Sequence, residues 1–569
     1  MSIAATVATR RKSWAWIAAA PASLLTAVFV LLPFTLALWN SFVPEGRLDA
    51  TAYTALLDSA FLAVLRRTVG FAVLLSAACI VLGVPAAYAL VRCAQPVRRL
   101  LLTAINLSFF AGILVRSYAW LAIFGHAGPV NWLLHLLGHT AHVKLAYTFP
   151  VMFIACVQIE LPLFILPLYG VMHGVDRSLQ KAAQSLGADP LTAWITAFLP
   201  LVIPGIFVST ALVFLTALGF YAAPTLLGPP DTYMLAQELE VRINTLGDEG
   251  GAGARIVIML ALIVIAAAVF ACLYRWARAR ANSGRGLRFG GWCESLARTL
   301  SPWRWLAAGI CIVVVIVLLL APMLMLPALA FNGGDFMGFP PHTLSLRWFH
   351  AFTAYEDLRA STGFSLQVSL LSAAIASVAG AAAALTARHL QPRARGALAL
   401  LSCAPLVVSS ITVTAALYIV ALHLPWIDPS WLFVAVYSVL GLPFSYLLVR
   451  SAYARLDANL PLAAASLGAS PWTTARTVTL PILAPSFISA FVFSFLLAFD
   501  DVSAGLFLST SERMPLAMRL WETLKFSITP MPAAIALLGF AAGFALYSSV
   551  RIGQWAKQHS WSRSGKEAA

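Results

Sequence analysis

Long apolar runs recur along the chain, separated by short polar stretches. A helix rises 1.5 Å per residue, so about 20 residues cover a ~30 Å hydrocarbon core. Runs of that length lie at 14–39, 68–92, 100–124, 146–170, 201–225 and 254–274, then at 305–330, 365–387, 396–422, 431–450, 485–508 and 531–551. The pattern predicts an all-α polytopic membrane protein with about 12 transmembrane helices. The first run follows Arg10, Arg11 and Lys12 and exceeds the apolar stretch of about 7–15 residues of a cleavable signal, so it reads as a retained span.

Charge changes the picture by giving it an orientation. One set of inter-run stretches is basic: Arg10/Arg11/Lys12, Arg92/Arg98/Arg99, Arg177/Lys181, Arg275/Arg278/Arg280/Arg285/Arg288, Arg388/Arg393/Arg395, Arg450/Arg455/Arg476 and Arg551/Lys557/Arg563/Lys566. The alternate set is poorer in basic residues and holds Asp231, Glu238, Glu240, Asp248 and Glu249. Positive loops stay inside, so both termini and the 277–304 link are expected on the cytoplasmic side. Only 10% of residues are charged and 61% are hydrophobic, with a mean hydropathy of +0.86. Soluble chains carry roughly 25% charged residues. The formal charge of +15 sits in these short clusters, with no aromatic-basic motif for nucleic acid beside it. The seven cysteines form no CxxC pair and read as small packing residues.

The chain also repeats itself at an offset of 281. DRSLQKAAQSLGADPLTAWITAFLPLVIP starts at Asp176 and DANLPLAAASLGASPWTTARTVTLPILAP at Asp457, and 14 of these 29 positions are identical. Leu179, Ala182, Ala183 and Leu186 fall on one face of a short helix by their three- and four-residue spacing. Gly187 and Gly468 suit the left-handed turn that ends such a helix. Asp189-Pro190 and Ser470-Pro471 then give an N-cap followed by proline at the first helical position. Leu199-Pro200 and Leu480-Pro481 are expected to terminate that second helix, with Pro204 and Pro485 starting the next span. Two copies of one unit are a common plan for transporters. They predict a first half at 1–285, with its loop at 176–204, and a second at 286–569, with its loop at 457–485.

This helix–turn–helix resembles the EAA loop of type I ABC importer permeases. The match runs through Ala182, Ala183, Leu186, Gly187, Ala188 and Pro190, and through Ala463, Ala464, Leu467, Gly468, Ala469 and Pro471. The resemblance implies two homologous six-helix halves of that fold, fused in one chain, with each loop docking on an ATPase subunit. The family's glutamate is replaced by Lys181 in one copy and Leu462 in the other, so a charge contact through it is not implied. VRSYAW (Val115–Trp120), ELPLFILPLYG (Glu160–Gly170) and ALGFYAAPTLLG (Ala217–Gly228) resemble one spermidine/putrescine permease; AFDDVSAGLFLS (Ala498–Ser509) resembles its mate. The resemblance implies two ATPase subunits on the cytoplasmic side, an external solute-binding protein, and a small solute, polyamine-like and cationic. Iron(III), thiamine, opine or aminophosphonate transport are the alternatives within that class.

No GxxxxGK[ST], HExxH or GxSxG occurs, so ATP and Mg belong to a partner and the chain itself is read as non-catalytic, with no cofactor or metal of its own. Glu160, Asp500 and Asp501 are the candidate pathway residues, because a carboxylate facing lipid costs at least ~2.5 kcal/mol. Two structural roles compete: Arg116 could neutralise Glu160 as an ion pair, and Asp501 could cap a broken helix. A twelve-span secondary transporter and an intramembrane enzyme using these carboxylates are the other classes. The paired cytoplasmic loops argue against the first, and the absence of an active-site motif against the second.

Overall fold

The computed structural model describes residues 19–43, 51–138, 143–176, 178–282, 304–335, 338–341, 343–424, 426–457, 459–526, 529–539 and 541. Of the sequence expectations, the N-terminal basic cluster, Arg177, most of the 277–304 link with the boundary at 285/286, and residues 542–569 lie outside them. The described residues are helical, and their one β feature is an isolated bridge between Asn332 and Leu344.

Leaving aside short turns, the helices in order are α1 (Ala19–Phe42), α2 (Ser59–Arg92), α3 (Gln95–Phe110), α4 (Ile113–Phe124), α5 (Pro129–Leu136) and α6 (Phe149–His173). Then come α7 (Ser178–Ser185), α8 (Pro190–Leu218), α9 (Ala222–Leu227), α10 (Leu235–Asn244) and α11 (Glu249–Asn282). The chain continues with α12 (Arg304–Ala330), α13 (Arg347–Ala354), α14 (Glu356–Thr386), α15 (Pro392–Val407), α16 (Ser410–Leu422) and α17 (Pro429–Ala454). It ends with α18 (Asn459–Ser466), α19 (Trp472–Asp500), α20 (Ser503–Leu508), α21 (Leu516–Phe526) and α22 (531–539). Apart from α5, which has no counterpart, the same order recurs from α2 to α10 and from α14 to α21: long helix, bent pair, central helix, short helix, long helix, two short helices.

Nine helices among the described residues are long and apolar enough to cross a membrane, and two bent pairs raise this to eleven. The count of twelve is therefore not reached here; the twelfth run, 531–551, is helical over 531–539 and then leaves the described residues. The runs at 100–124 and 396–422, read as continuous spans, are each broken. α3 and α4 meet at 97° and α15 and α16 at 96°. Ala111-Gly112 and Val408-Ser409 adopt extended backbone, which interrupts the helical ladder. An apolar average over the run carries no trace of that break.

Burial sorts the spans into layers. α6 and α17 are 72% and 83% buried over their apolar windows, while α11 is 17% buried with a mean hydropathy of 3.2. A helix hydrophobic all round belongs in a core or against lipid; α6 and α17 form the core and α11 the lipid-facing rim. The two repeat units interlock. α1 packs against α16 and α11, and α12 packs against α2 and α4, so the first span of each unit lies on the other. Thr26 of α1 also donates to the Leu401 carbonyl of α15 at 3.2 Å, a further bond between the units.

Leu199-Pro200 and Leu480-Pro481 do not terminate a helix, contrary to the sequence expectation. In each copy the five preceding residues widen into a π turn, with Leu199 N–H bonded to the Trp194 carbonyl and Leu480 N–H to that of Ala475. Proline lacks a donor and crowds the preceding turn. The wider turn accommodates it, and α8 and α19 run on with Pro204 and Pro485 inside them.

Candidate functional site

A cavity of about 340 Å³ lies where the two repeat units meet. α3, α4, α6 and α8 line one side; α15, α16, α17 and α19 line the other. Its polar groups include all four residues singled out in the sequence: Arg116, Glu160, Asp500 and Asp501. Phe109, Phe220, Tyr221, Phe444 and Phe493 supply aromatic walls.

Each charged group has identifiable partners. Glu160, on the buried middle of α6, is 5% exposed and accepts a hydrogen bond from the Thr216 hydroxyl at 3.0 Å. Arg116, in the first turn of α4 and 4% exposed, donates to the carbonyls of Gly112 at 3.4 Å and Ile159 at 3.3 Å. Among the described residues Arg116 and Glu160 form no ion pair at contact distance, and each lies within electrostatic range of the other. Asp500 closes α19, and its Oδ2 accepts the Ile113 N–H at 2.8 Å. Asp501 does cap a helix: it accepts from Ala504 N–H at 2.9 Å at the start of α20 and from the Ser410 hydroxyl at 2.8 Å. Both bends thus deliver helix N-termini to the cavity, whose free N–H groups favour negative partners. Sequence reading missed Gly112, Thr216, Ser409 and Ser410, because none carries a charge; Gly112, Ser409 and Ser410 act through the bends and Thr216 through its bond to Glu160.

The repeated loops form a second site. α7 ends at Gly187 with φ +91° and α18 at Gly468 with φ +83°. In each, two crossed bonds seal the turn: Ala188 N–H to the Ala183 carbonyl and Gly187 N–H to that of Gln184, matched by Ala469 to Ala464 and Gly468 to Ala465. This is the glycine-dependent end expected of the sequence. Asp189 caps the next helix through Leu191 N–H at 3.1 Å, and Ser470 does so through Thr473 N–H at 3.1 Å. Pro190 and Pro471 open that helix. Asp176 caps α7 through Ser178 N–H, which with the Ser178 hydroxyl holds its carboxyl below the usual carboxylate range.

The apolar face of these helices is left open. Leu186 and Leu467, at the two tips, are each 90% exposed. Ala182 and Ala463 are exposed, while Ala183, Ala188, Ala464 and Ala469 are half-buried. The two loops are also anchored differently. Gln180, buried, accepts from Arg92 at 2.7 Å beside Tyr88, and Trp194 and Phe198 pack edge-on against the Tyr88 ring. Pro461 stands where Gln180 would recur, and α18 buries no side chain among the described residues.

Residues 376–554 match the family described as binding-protein-dependent transport system inner membrane components. The spermidine/putrescine transport system permease protein PotB of Escherichia coli strain K12 is 30% identical over 231 residues, 39% of this chain and 83% of that protein. The chain belongs to this permease family. The Haemophilus influenzae PotB is also 30% identical, over 35% of this permease and 73% of its own length. The molybdenum transport system permease protein ModB of Escherichia coli is 31% identical over 35% of this permease and 87% of ModB. A bacterial ABC transporter involved in the import of the acidic polysaccharide alginate gives a structural likeness at 17% identity and a TM-score of 0.39 over 44% of this permease and 91% of that chain. The permease is an ABC importer component of the inner membrane, crossing it many times, and its family is one of transport components rather than catalysts.

Proposed function

We propose that this single chain supplies both membrane halves of an ATP-driven importer and carries a small cationic solute, polyamine-like in chemistry, received from an external binding protein. The cavity carries this reading: three carboxyl groups and one guanidinium line an aromatic-walled compartment that both repeat units build. Carboxylates inside a membrane protein pair with cations along a path more readily than they face lipid. Relatives named for spermidine and putrescine support the same class, while one named for molybdenum makes an anion the contrary case. Glu160, Asp500 and Asp501 serve the pathway, with Asp501 also shaping its wall.

Uptake in cells expressing the permease with its own partners tests the solute. Labelled putrescine or spermidine should enter saturably and compete with each other, and Glu160→Gln should cut that entry severalfold at unchanged membrane level. Uptake of molybdate, iron(III) or an aminophosphonate, with no competition by polyamines, would contradict a polyamine-like cationic solute; thiamine uptake would keep the cation but move the solute class.

Both coupling loops and both termini face the cytoplasm in this reading, supported by the basic stretches flanking them. A cysteine placed at Ser470 should resist an impermeant thiol reagent applied to intact spheroplasts and react after lysis. Labelling from outside at full rate would invert the topology.

A further inference from the structure

The cavity is bounded by two crossed contacts between the repeat units, and they are the same contact made twice. At one, the end of α8 reaches the α15–α16 bend: the Ser409 hydroxyl donates to the Gly219 carbonyl at 3.3 Å. A Cβ on Gly219 would lie 1.9 Å from the Ser409 oxygen. At the other, the end of α19 reaches the α3–α4 bend, and Ile113 N–H donates to Asp500 at 2.8 Å. A Cβ on Gly112 would lie 1.7 Å from Asp500 Oδ1. Gly219 and Asp500 are one repeat apart, at the offset of 281. The repeat has therefore kept the junction and broken its symmetry: one seam is neutral and the other hangs on a carboxylate.

That carboxylate is held by groups a cation can replace. Ile113 N–H is an otherwise orphaned first-turn donor, and Arg116 lies within electrostatic range of Asp500. The Ile113 N–H bond to Asp500 is already charge-assisted; a solute ammonium in the cavity would offer Asp500 a full positive charge where the backbone offers only a dipole. We propose that Asp500 is the specificity-determining acceptor for the cationic solute and that it exchanges partners. In the arrangement seen here it ties α19 to the N-terminus of α4; a bound ammonium draws it away and releases that seam. The Ser409–Gly219 seam has no charge to exchange and stays closed as the pivot. Recognition of the cation and separation of the halves are then one event. This rests on the cationic-solute reading above.

Phe109 and Phe493 stack across the charged seam with ring centroids 5.7 Å apart, so a cysteine pair at these positions, in a background without other reactive thiols, reports its closure. With the Asp500 side chain intact, the pair should cross-link readily and lose most of that yield in saturating spermidine. Asp500→Asn keeps an acceptor for Ile113 N–H but no charge. It should cross-link as before, fail to respond to spermidine, and, with Phe109 and Phe493 intact, raise the uptake KM at least tenfold. Asp500→Ala, checked for normal membrane level, should cross-link poorly with or without spermidine. Wild-type KM and full response in Asp500→Asn, or undiminished cross-linking in Asp500→Ala, would overturn the exchange. Spermidine uptake by the wild type with a cross-link that ignores spermidine would overturn it too while leaving the cationic reading intact; absence of any cation uptake would sink both.

Discussion

Glu238→Ala should destabilise the purified permease by about 3 kcal/mol, the low end for breaking a buried ion pair by removing one partner. The partner left behind is Arg255, whose side chain is 3% exposed. Its Nε and Nη2 each reach Glu238 Oε1 at 3.1 Å, Nη1 reaches the Gly251 carbonyl at 3.0 Å, and its guanidinium lies 5.2 Å from the Phe61 ring centroid. Arginine does not shed its proton, so without Glu238 a full charge stays on a largely buried side chain that keeps its bond to the Gly251 carbonyl. Glu238 also holds Arg242 at 3.2 Å, which in turn pairs with Asp248 at 3.1 Å, so two carboxylates join α10 to α11 and Glu238 is the one that holds the buried Arg255. Combining Glu238→Ala with Arg255→Met removes both charges and should recover most of the loss. Thermal midpoints in detergent measure this. A single variant as stable as the wild type, or a double no better than the single, would show that the pair does not hold these helices.

Much of the architecture was legible because the membrane constrains it. A backbone in lipid must satisfy itself internally, so apolar runs such as 146–170 and 431–450 could only be helices, and they became α6 and α17. The repeated glycines were legible for a local reason: Gly187 and Gly468 sit at positive φ, where the choice of residue is dictated by backbone alone. The candidate charges could be picked out for their cost in a span, and all four line one cavity. What the sequence hid depends on contacts between distant segments. Nothing near Gly112 or Ser409 announces a bend of more than 90°, and nothing near Asp500 says that its hydrogen-bond partner lies 387 positions away. Leu199-Pro200 misled for the same reason: a proline is a local stop signal, and a π turn overrode it.

The second large effect is expected at the coupling loops. Nothing lies within 4 Å of a Cβ built on Gly187 or Gly468, so a side chain there meets no clash. The cost is conformational, roughly 1–2 kcal/mol for a non-glycine residue in the left-handed region. That equals about a five- to thirtyfold loss in the population of the formed turn. Gly187→Glu and Gly468→Glu should each reduce ATPase docking on their own side by about that factor. Gly468→Glu should be the more damaging, because among the described residues α18 has no counterpart of the Gln180–Arg92 anchor that holds α7. Equal and full docking in both variants would mean that the turns do not form the interface.

The stoichiometry of the complete transporter, measured by native mass spectrometry of the complex purified through this chain, tests the central claim most directly. One chain with two ATPase subunits is the predicted composition, falling to one ATPase in Gly468→Glu. Two copies of the chain in the complex, or no ATPase bound at all, would contradict it.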